Sequence, residues 1–246
     1  MSTWSLPELS SRQQARLIDD WCEFFESGPT GIWDLAFDMR MPKRLFDALS
    51  AQTQLRSLGI SWGVYDNLGA LEGMTELIDL HLESATSVTD LAPLAALTKL
   101  EDLELGGTWR LDDYSIIGTL VGLRQLRIGG GHSNIRQHTR SLEFLTSLRA
   151  LRRLDLMLIP DELDYSPLLE LVWVEEMWVS AIEKIRKTMT PSMVDLEWAL
   201  PGLQRAREDR KAGRTYEWYR GERIGDYRRD EDDQIYLYRY DLADTE

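Results

Sequence analysis

An apolar triplet at +0, +3 and +5 returns along this sequence at near-constant intervals, and no other feature restricts the fold as strongly. The triplets are Ile32-Leu35-Phe37, Leu55-Leu58-Ile60, Leu77-Leu80-Leu82, Leu100-Leu103-Leu105, Leu123-Leu126-Ile128, Leu151-Leu154-Leu156 and Val174-Met177-Val179. Their starts lie 23, 22, 23, 23, 28 and 23 residues apart. The rest of each unit repeats too: Val88, Leu91, Leu94 and Leu97 fall three apart, as do Leu111, Tyr114, Ile117 and Leu120. Leu68, Leu71 and Met74 do the same one residue early in the preceding unit. A step of three suits a 3₁₀ turn, which brings i and i+3 to one face. Each unit therefore reads as a short strand, a turn and a short helical return. None can bury its leucines alone, so neighbouring units must stack.

LxxLxL followed by a DLxPLxxLxxL segment resembles the leucine-rich-repeat family, closest to its bacterial internalin-like type. The resemblance covers roughly residues 30–181. It implies an α/β leucine-rich-repeat solenoid of about seven repeats, with parallel strands lining a concave face and helical returns outside. The family places Asn at +8, bonding neighbouring turns; this chain has Gly63, Ala85, Thr108, Gly131 and Ile159 there, which predicts less regular turns. Three segments follow: a helical N-terminal cap over 1–30, the solenoid over 31–181, and a C-terminal flank over 182–246. In the cap, residues 10–26 begin with Ser10 and put Leu17, Ile18, Trp21, Cys22, Phe24 and Phe25 on a broad apolar face. The flank reads as helical or mixed over 182–211, broken at Pro191 and Pro201, and then as a hairpin or small sheet in TYEWYR and QIYLYRY.

Alternation sends +0, +3 and +5 into the core and +2, +4 and +6 to the open face. Strand by strand that face offers Asp34, Ala36 and Asp38, then Ser57, Gly59 and Ser61. Asp79, His81 and Glu83 follow, with Asp102, Glu104 and Gly106 beside them. Gln125, Arg127 and Gly129 come next, then Arg153, Asp155 and Met157, and last Glu176, Trp178 and Ser180. Asp79, Glu83, Asp102 and Glu104 sit on adjacent strands about 4.8 Å apart, a like-charge arrangement that costs stability. Arg127 and Arg153 make a basic shoulder and Trp178 an aromatic anchor. Acidic centre, shoulder and anchor together have the composition of a protein interface. The simpler reading is that solvated strands carry polar residues.

Charge supports the first reading. The chain holds 28 Lys+Arg and 42 Asp+Glu, a net charge of −14. Residues 55–122 contain 3 Lys+Arg against 11 Asp+Glu, a balance of −8 in three repeats. Such acidity argues against binding nucleic acid and favours a basic partner. No eighteen-residue apolar run predicts a membrane span, and Met1 to Leu9 do not read as a secretory signal, so a cytoplasmic location is expected. The single cysteine, Cys22, excludes an internal disulfide framework and a Cys₄ zinc site, and on an apolar helix face it reads as an inert thiol.

Chemistry finds little support. The loop GGGHSNIRQHTR at 129–140 supplies the five extra residues of the long unit but lacks GxxxxGK[ST], so it reads as a longer loop, with Arg136, His138 and Arg140 available for contacts. His81, His132 and His138 do not make a zinc motif, and DEDD at 230–233 lacks EF-hand spacing. No GxSxG occurs. No metal and no cofactor are expected. The sequence points to a non-enzymatic module that binds a basic protein through Asp79, His81, Glu83, Asp102, Glu104, Arg127, Arg153, Asp155 and Trp178. Two alternatives remain: an immunity or antitoxin protein neutralising a basic toxin such as a nuclease, and an enzyme or subunit active in the C-terminal segment. A surface adhesin is disfavoured by the missing export signal.

Overall fold

The computed structural model describes residues 9–129, 137–161, 166–171, 173–180, 216–220 and 234–241, without the side chains of residues 39, 166, 169, 176, 178–180 and of the last two segments. In chain order the main elements are α1 (Ser11–Glu26), β1 (Asp34–Met41), α2 (Lys43–Ala48), β2 (Ser57–Gly63), β3 (Asp79–Leu82), β4 (Asp102–Leu105) and β5 (Gln125–Ile128). Then come β6 (Gln137–Thr139), β7 (Arg153–Leu156), β8 (Leu158–Pro160), β9 (Glu176–Ser180), β10 (Tyr216–Arg220) and β11 (Gln234–Asp241). The main sheet runs β1-β2-β3-β4-β5-β7-β9-β11-β10. Its ladders from β1 to β9 are parallel, and β11 is antiparallel to both β9 and β10.

Register is what the triplets dictate. Leu58 faces Leu80, Leu80 faces Leu103, Leu103 faces Leu126 and Leu126 faces Leu154, so each apolar column runs unbroken across the strands. From Leu55 to Leu156 every triplet residue is at most 1% exposed. Each such leucine contributes roughly 1.5–3 kcal/mol by burial, which makes these columns the spine of the molecule. The returns are 3₁₀ segments at Gly69–Leu71, Ala92–Ala96, Ser115–Thr119, Glu143–Ser147 and Ser166–Glu170, as the step of three predicts. The first return differs, being the α-helical α2 followed by one 3₁₀ turn, Leu49–Ala51. The arrangement is a leucine-rich-repeat-like α/β fold.

Four of the 3₁₀ returns are started by a side chain at one repeated position. Asn67 Oδ1 accepts the Gly69 N–H at 3.1 Å, Asp90 Oδ1 that of Ala92 at 2.8 Å, Asp113 Oδ1 that of Ser115 at 2.8 Å, and Ser141 Oγ that of Glu143 at 3.0 Å. A free N–H at the head of each helical turn is thereby satisfied. At +8, Thr108 is fully buried and takes on part of what an Asn would do. Its Oγ1 donates to Gln137 Oε1 at 2.6 Å and lies 2.9 Å from the Tyr114 hydroxyl, whose pKa burial pushes up to about 12. Gln137 belongs to β6, which pairs in parallel with β8 in a second, two-stranded sheet. Part of the expected long loop is thus strand, because Gln137 and Thr139 turn inward and find partners there.

At the chain's start, Gln13 Oε1 accepts the Ser10 N–H at 2.9 Å at the head of α1. Phe25 is buried, and both it and Trp21 meet the Phe37 ring edge-on. Phe24 departs from the expected apolar face: half of it is exposed, and it contacts only the edge of Phe25 among the described rings. The two β-prone runs near the C-terminus are the antiparallel pair β10 and β11. The helical reading of 182–211 lies outside the described residues, as do His132, Arg136 and the DEDD run.

Candidate interaction face

Alternate residues of the parallel strands form two rows across the sheet. One holds Asp34, Ser57, Asp79, Asp102, Gln125 and Arg153; the next holds Ala36, Gly59, His81, Glu104, Arg127 and Asp155. The backbone of Trp178 continues the second row beside Asp155, but its side chain lies outside the described residues. Glu83 stands one residue beyond β3, where its N–H still donates to the Ile60 carbonyl at 3.1 Å. The expected site residues other than Trp178 therefore lie on one face of the sheet.

Their charges do not act as separate patches. Arg127 Nη1 lies 2.9 Å from Glu104 Oε2, and its Nε lies 3.1 Å from Asp155 Oδ2. Glu104 and Asp155 are only 17% and 16% exposed, so this bridge is firmer than a loose surface pair. The basic shoulder is folded into the acidic centre along one row. Arg153 Nη1 also reaches Gln125 Oε1 at 3.4 Å. Just before the strands, Arg124 pairs with Glu101 and Arg152 with Glu175. The β4–β7 half of the face is largely neutralised by its own ion pairs.

The β1–β3 half is different. Asp34, Asp38, Asp79 and Glu83 have no cation within ion-pair distance among the described residues. Asp79 directly faces Asp102, and its carboxyl is raised above the ordinary value by burial first and by the Asp102 charge second. His81 Nε2 sits 3.4 Å from Asp102 Oδ1. That polar contact raises the imidazole pKa, burial opposes it, and the charges of Asp102, Glu104 and Asp79 add to the rise. A raised histidine pKa means that the fold binds its proton more tightly than the unfolded chain does. The stabilisation is full below the unfolded value, near 6.5, and is lost as pH climbs through the folded value. Urea midpoints of the wild type are therefore expected to fall between pH 6 and 8.5, and His81→Asn to flatten that slope. A wild-type midpoint constant over this window would show that the Asp102 contact does not hold the proton.

Two tryptophans on this half escape simple alternation. Trp62 lies at +7, which strict alternation turns inward, yet it is 48% exposed. The β1–β2 pairing shifts register between Phe37 and Arg40, so Arg40 faces Trp62, and the buried residue that follows Ile60 in β2 is Gly63 instead. The Arg40 guanidinium lies 5.6 Å from the Trp62 ring centre. Trp33, just before β1, is 50% exposed and carries the Arg56 guanidinium 4.5 Å from its ring centre. Between them the floor is small: Ala36, Ser57, Gly59 and Ser61.

The Cys22 thiol is raised by burial, with Arg44 opposing, and a raised thiol is a poor nucleophile at neutral pH. No three His, Cys, Asp or Glu side chains converge to hold a metal among the described residues. Nor is any described helix long and apolar enough to cross a membrane.

No protein-family model matches the sequence, and no curated protein matches it either. Among solved structures the chain is similar to internalin C2 from Listeria monocytogenes str. 4b F2365, at 21% identity, over 70% of this chain and 80% of that one, with a TM-score of 0.44.

Proposed function

We propose that this chain is a non-enzymatic protein-interaction module, a leucine-rich-repeat solenoid closed by its N-terminal helix and C-terminal strands. Its partner binds the open face of the parallel sheet. The observation that carries the reading is the pairing map of that face: carboxylates without cations on β1–β3, displayed on strands that the buried columns hold rigid. Rigid display limits the ordering cost of binding, and unpaired carboxylates steer a basic partner. The same concentration of charge favours, within this reading, an immunity or antitoxin role against a basic toxin such as a nuclease.

A bait experiment tests it. At low salt the wild-type chain is expected to retain a basic protein from its native extract, and the pair Asp79→Lys with Glu83→Lys to lose it. With a purified partner, that double reversal should weaken affinity by about tenfold or more and reduce its salt dependence. Unchanged affinity in a variant of unchanged circular dichroism would remove the face from consideration.

A further inference from the structure

Within that reading, the geometry points to one end of the face as the docking site. We propose that the floor of β1–β3, bracketed by Trp33 and Trp62, takes an extended basic segment of a protein partner. The proposal rests on the open face being where a partner binds, and it goes further by naming the anchors and the chemistry of the occupant.

Half-exposed tryptophans are the residues most often found at the energetic centre of protein interfaces. Here each is held by an arginine stacked against it, so little side-chain freedom remains to be lost when a partner arrives. Trp33 stands just before β1, level with Arg56, and Trp62 lies near the end of β2, about six residues further along the strand direction. At about 3.3 Å per residue this is roughly 20 Å, a distance that an extended segment of about six residues spans.

What lies between decides the occupant. Ala36, Ser57, Gly59 and Ser61 leave a low floor, and a Cβ built on Gly59 meets nothing nearer than Ala36 Cβ at 3.7 Å. Long side chains have room to lie flat there. Asp34 and Asp79 flank Ser57 in one row, about 10 Å apart across two strand spacings. Glu83 and Asp38 stand toward the opposite end. Lysine or arginine fits both features, with an aliphatic stem along the floor and a cationic head at a carboxylate. Asp34, Asp38, Asp79 and Glu83 outnumber the two guanidinium groups at the anchors, Arg40 and Arg56, so the balance of charge favours a basic segment over an acidic one. The β4–β7 half offers no equivalent, because Arg127 already occupies Glu104 and Asp155.

The probe is a synthetic Lys-Ala-Lys-Arg-Ala-Lys peptide, with Glu replacing every Lys and Arg in its control. The readout is the set of indole N–H resonances of the full chain, with Trp33 and Trp62 identified by Trp33→Phe and Trp62→Phe. Saturable shifts of those two resonances are expected with the basic peptide and not with the acidic one. Gly59→Gln, which fills the floor without touching the core, should weaken binding at least tenfold, while Glu104→Gln should leave it within twofold. If Glu104→Gln abolishes binding and Gly59→Gln does not, this site is overturned while the open face stands as the binding surface. Absence of binding by the basic peptide overturns both. Equal binding of the acidic peptide overturns the charge assignment, and shifts that track protein concentration alone make the occupant a second copy of this chain.

Discussion

Replacing Gln52 with leucine costs about 3 kcal/mol and releases α1 before the sheet melts. Gln52 is fully buried and lies in the turn after the first return, yet most of its side-chain bonds reach back to the chain leaving α1. Its Nε2 donates to the Phe25 carbonyl at 2.6 Å and to the Gly28 carbonyl at 2.7 Å. Its Oε1 accepts the Thr30 hydroxyl at 2.8 Å and the Gln54 amide at 3.1 Å. Phe25 is in the last turn of α1, where carbonyls have no partner within the helix. Leucine fills a similar volume but strands those two carbonyls in a water-poor site, at roughly 1–3 kcal/mol each, partly relieved by local opening. The loss should register as a lower urea midpoint and as early hydrogen exchange in Ser11–Glu26. Exchange in β3 and β4 should remain slow, because their own columns are untouched. Equal exchange in α1 and β4 would show that the helix and the sheet unfold as one unit and that Gln52 is no clasp.

How far the sequence foretold this arrangement depends on which interactions are periodic. The buried columns are: each leucine at +3 faces another, so Leu80, Leu103, Leu126 and Leu154 were legible from spacing alone. The 3₁₀ returns were legible for the same reason, from apolar residues three apart. The side chains that start four of those returns, Asn67, Asp90, Asp113 and Ser141, are also periodic at 23, 23 and 28 residues, and Asp90 is the first residue of DLxPLxxLxxL, but spacing does not show that they bind a backbone N–H. The site was half legible. Alternation placed Asp79, His81, Glu83, Asp102, Glu104, Arg127, Arg153 and Asp155 on one surface. Charge counted by region then separated an acidic centre from a basic shoulder. Read along the row instead, Glu104, Arg127 and Asp155 are neighbours of alternating sign, and the structure joins them. Trp62 was not legible for another reason: the alternation of β2 breaks after Ile60, where the β1–β2 register shifts, and a non-periodic event leaves no mark in a periodic pattern.

That distinction moves the weight of the interface. Carboxylates that neutralise a neighbouring guanidinium hold the face flat and rigid but add little to long-range steering, since the pair presents almost no net field to an approaching partner. The field that survives is the excess of Asp34, Asp38, Asp79 and Glu83 over the Arg40 and Arg56 guanidinium groups, at the end of the sheet where the two exposed tryptophans stand. The like-charge contact between Asp79 and Asp102 works against the fold, and His81 between Asp102 and Glu104 softens it as pH falls. Stability and recognition thus pull in opposite directions at β3. A partner's cation at Asp79 would relieve the repulsion that the folded chain carries alone.

Two glycines on this face should respond to alanine with opposite signs. Gly106 ends its row beside Glu83, and a Cβ there would sit 2.1 Å from the Glu83 carbonyl oxygen and 2.8 Å from its carbon. Both atoms are backbone. The strand cannot swing aside, because the Gly106 N–H donates to Leu82 O at 2.8 Å and the Gly106 carbonyl accepts the Ala85 N–H at 2.8 Å. Gly106→Ala must stretch one of those bonds or displace Glu83. Forced overpacking of this kind costs typically 1–3 kcal/mol, and the smaller chain-entropy gain from losing a glycine offsets less than about 1 kcal/mol of it. A net loss of about 2 kcal/mol is expected, with Glu83 displaced at the edge of the docking floor. At Gly59 the built Cβ meets only Ala36 Cβ, at ordinary contact distance, so the entropy gain stands alone. Gly59→Ala should raise stability by about 0.5 kcal/mol. Urea midpoints of the two variants measured side by side decide the matter: a fall for Gly106→Ala and a rise for Gly59→Ala. A silent Gly106→Ala would mean that the end of β4 does not lie against the Glu83 backbone, and the register of the acidic row would have to be redrawn there.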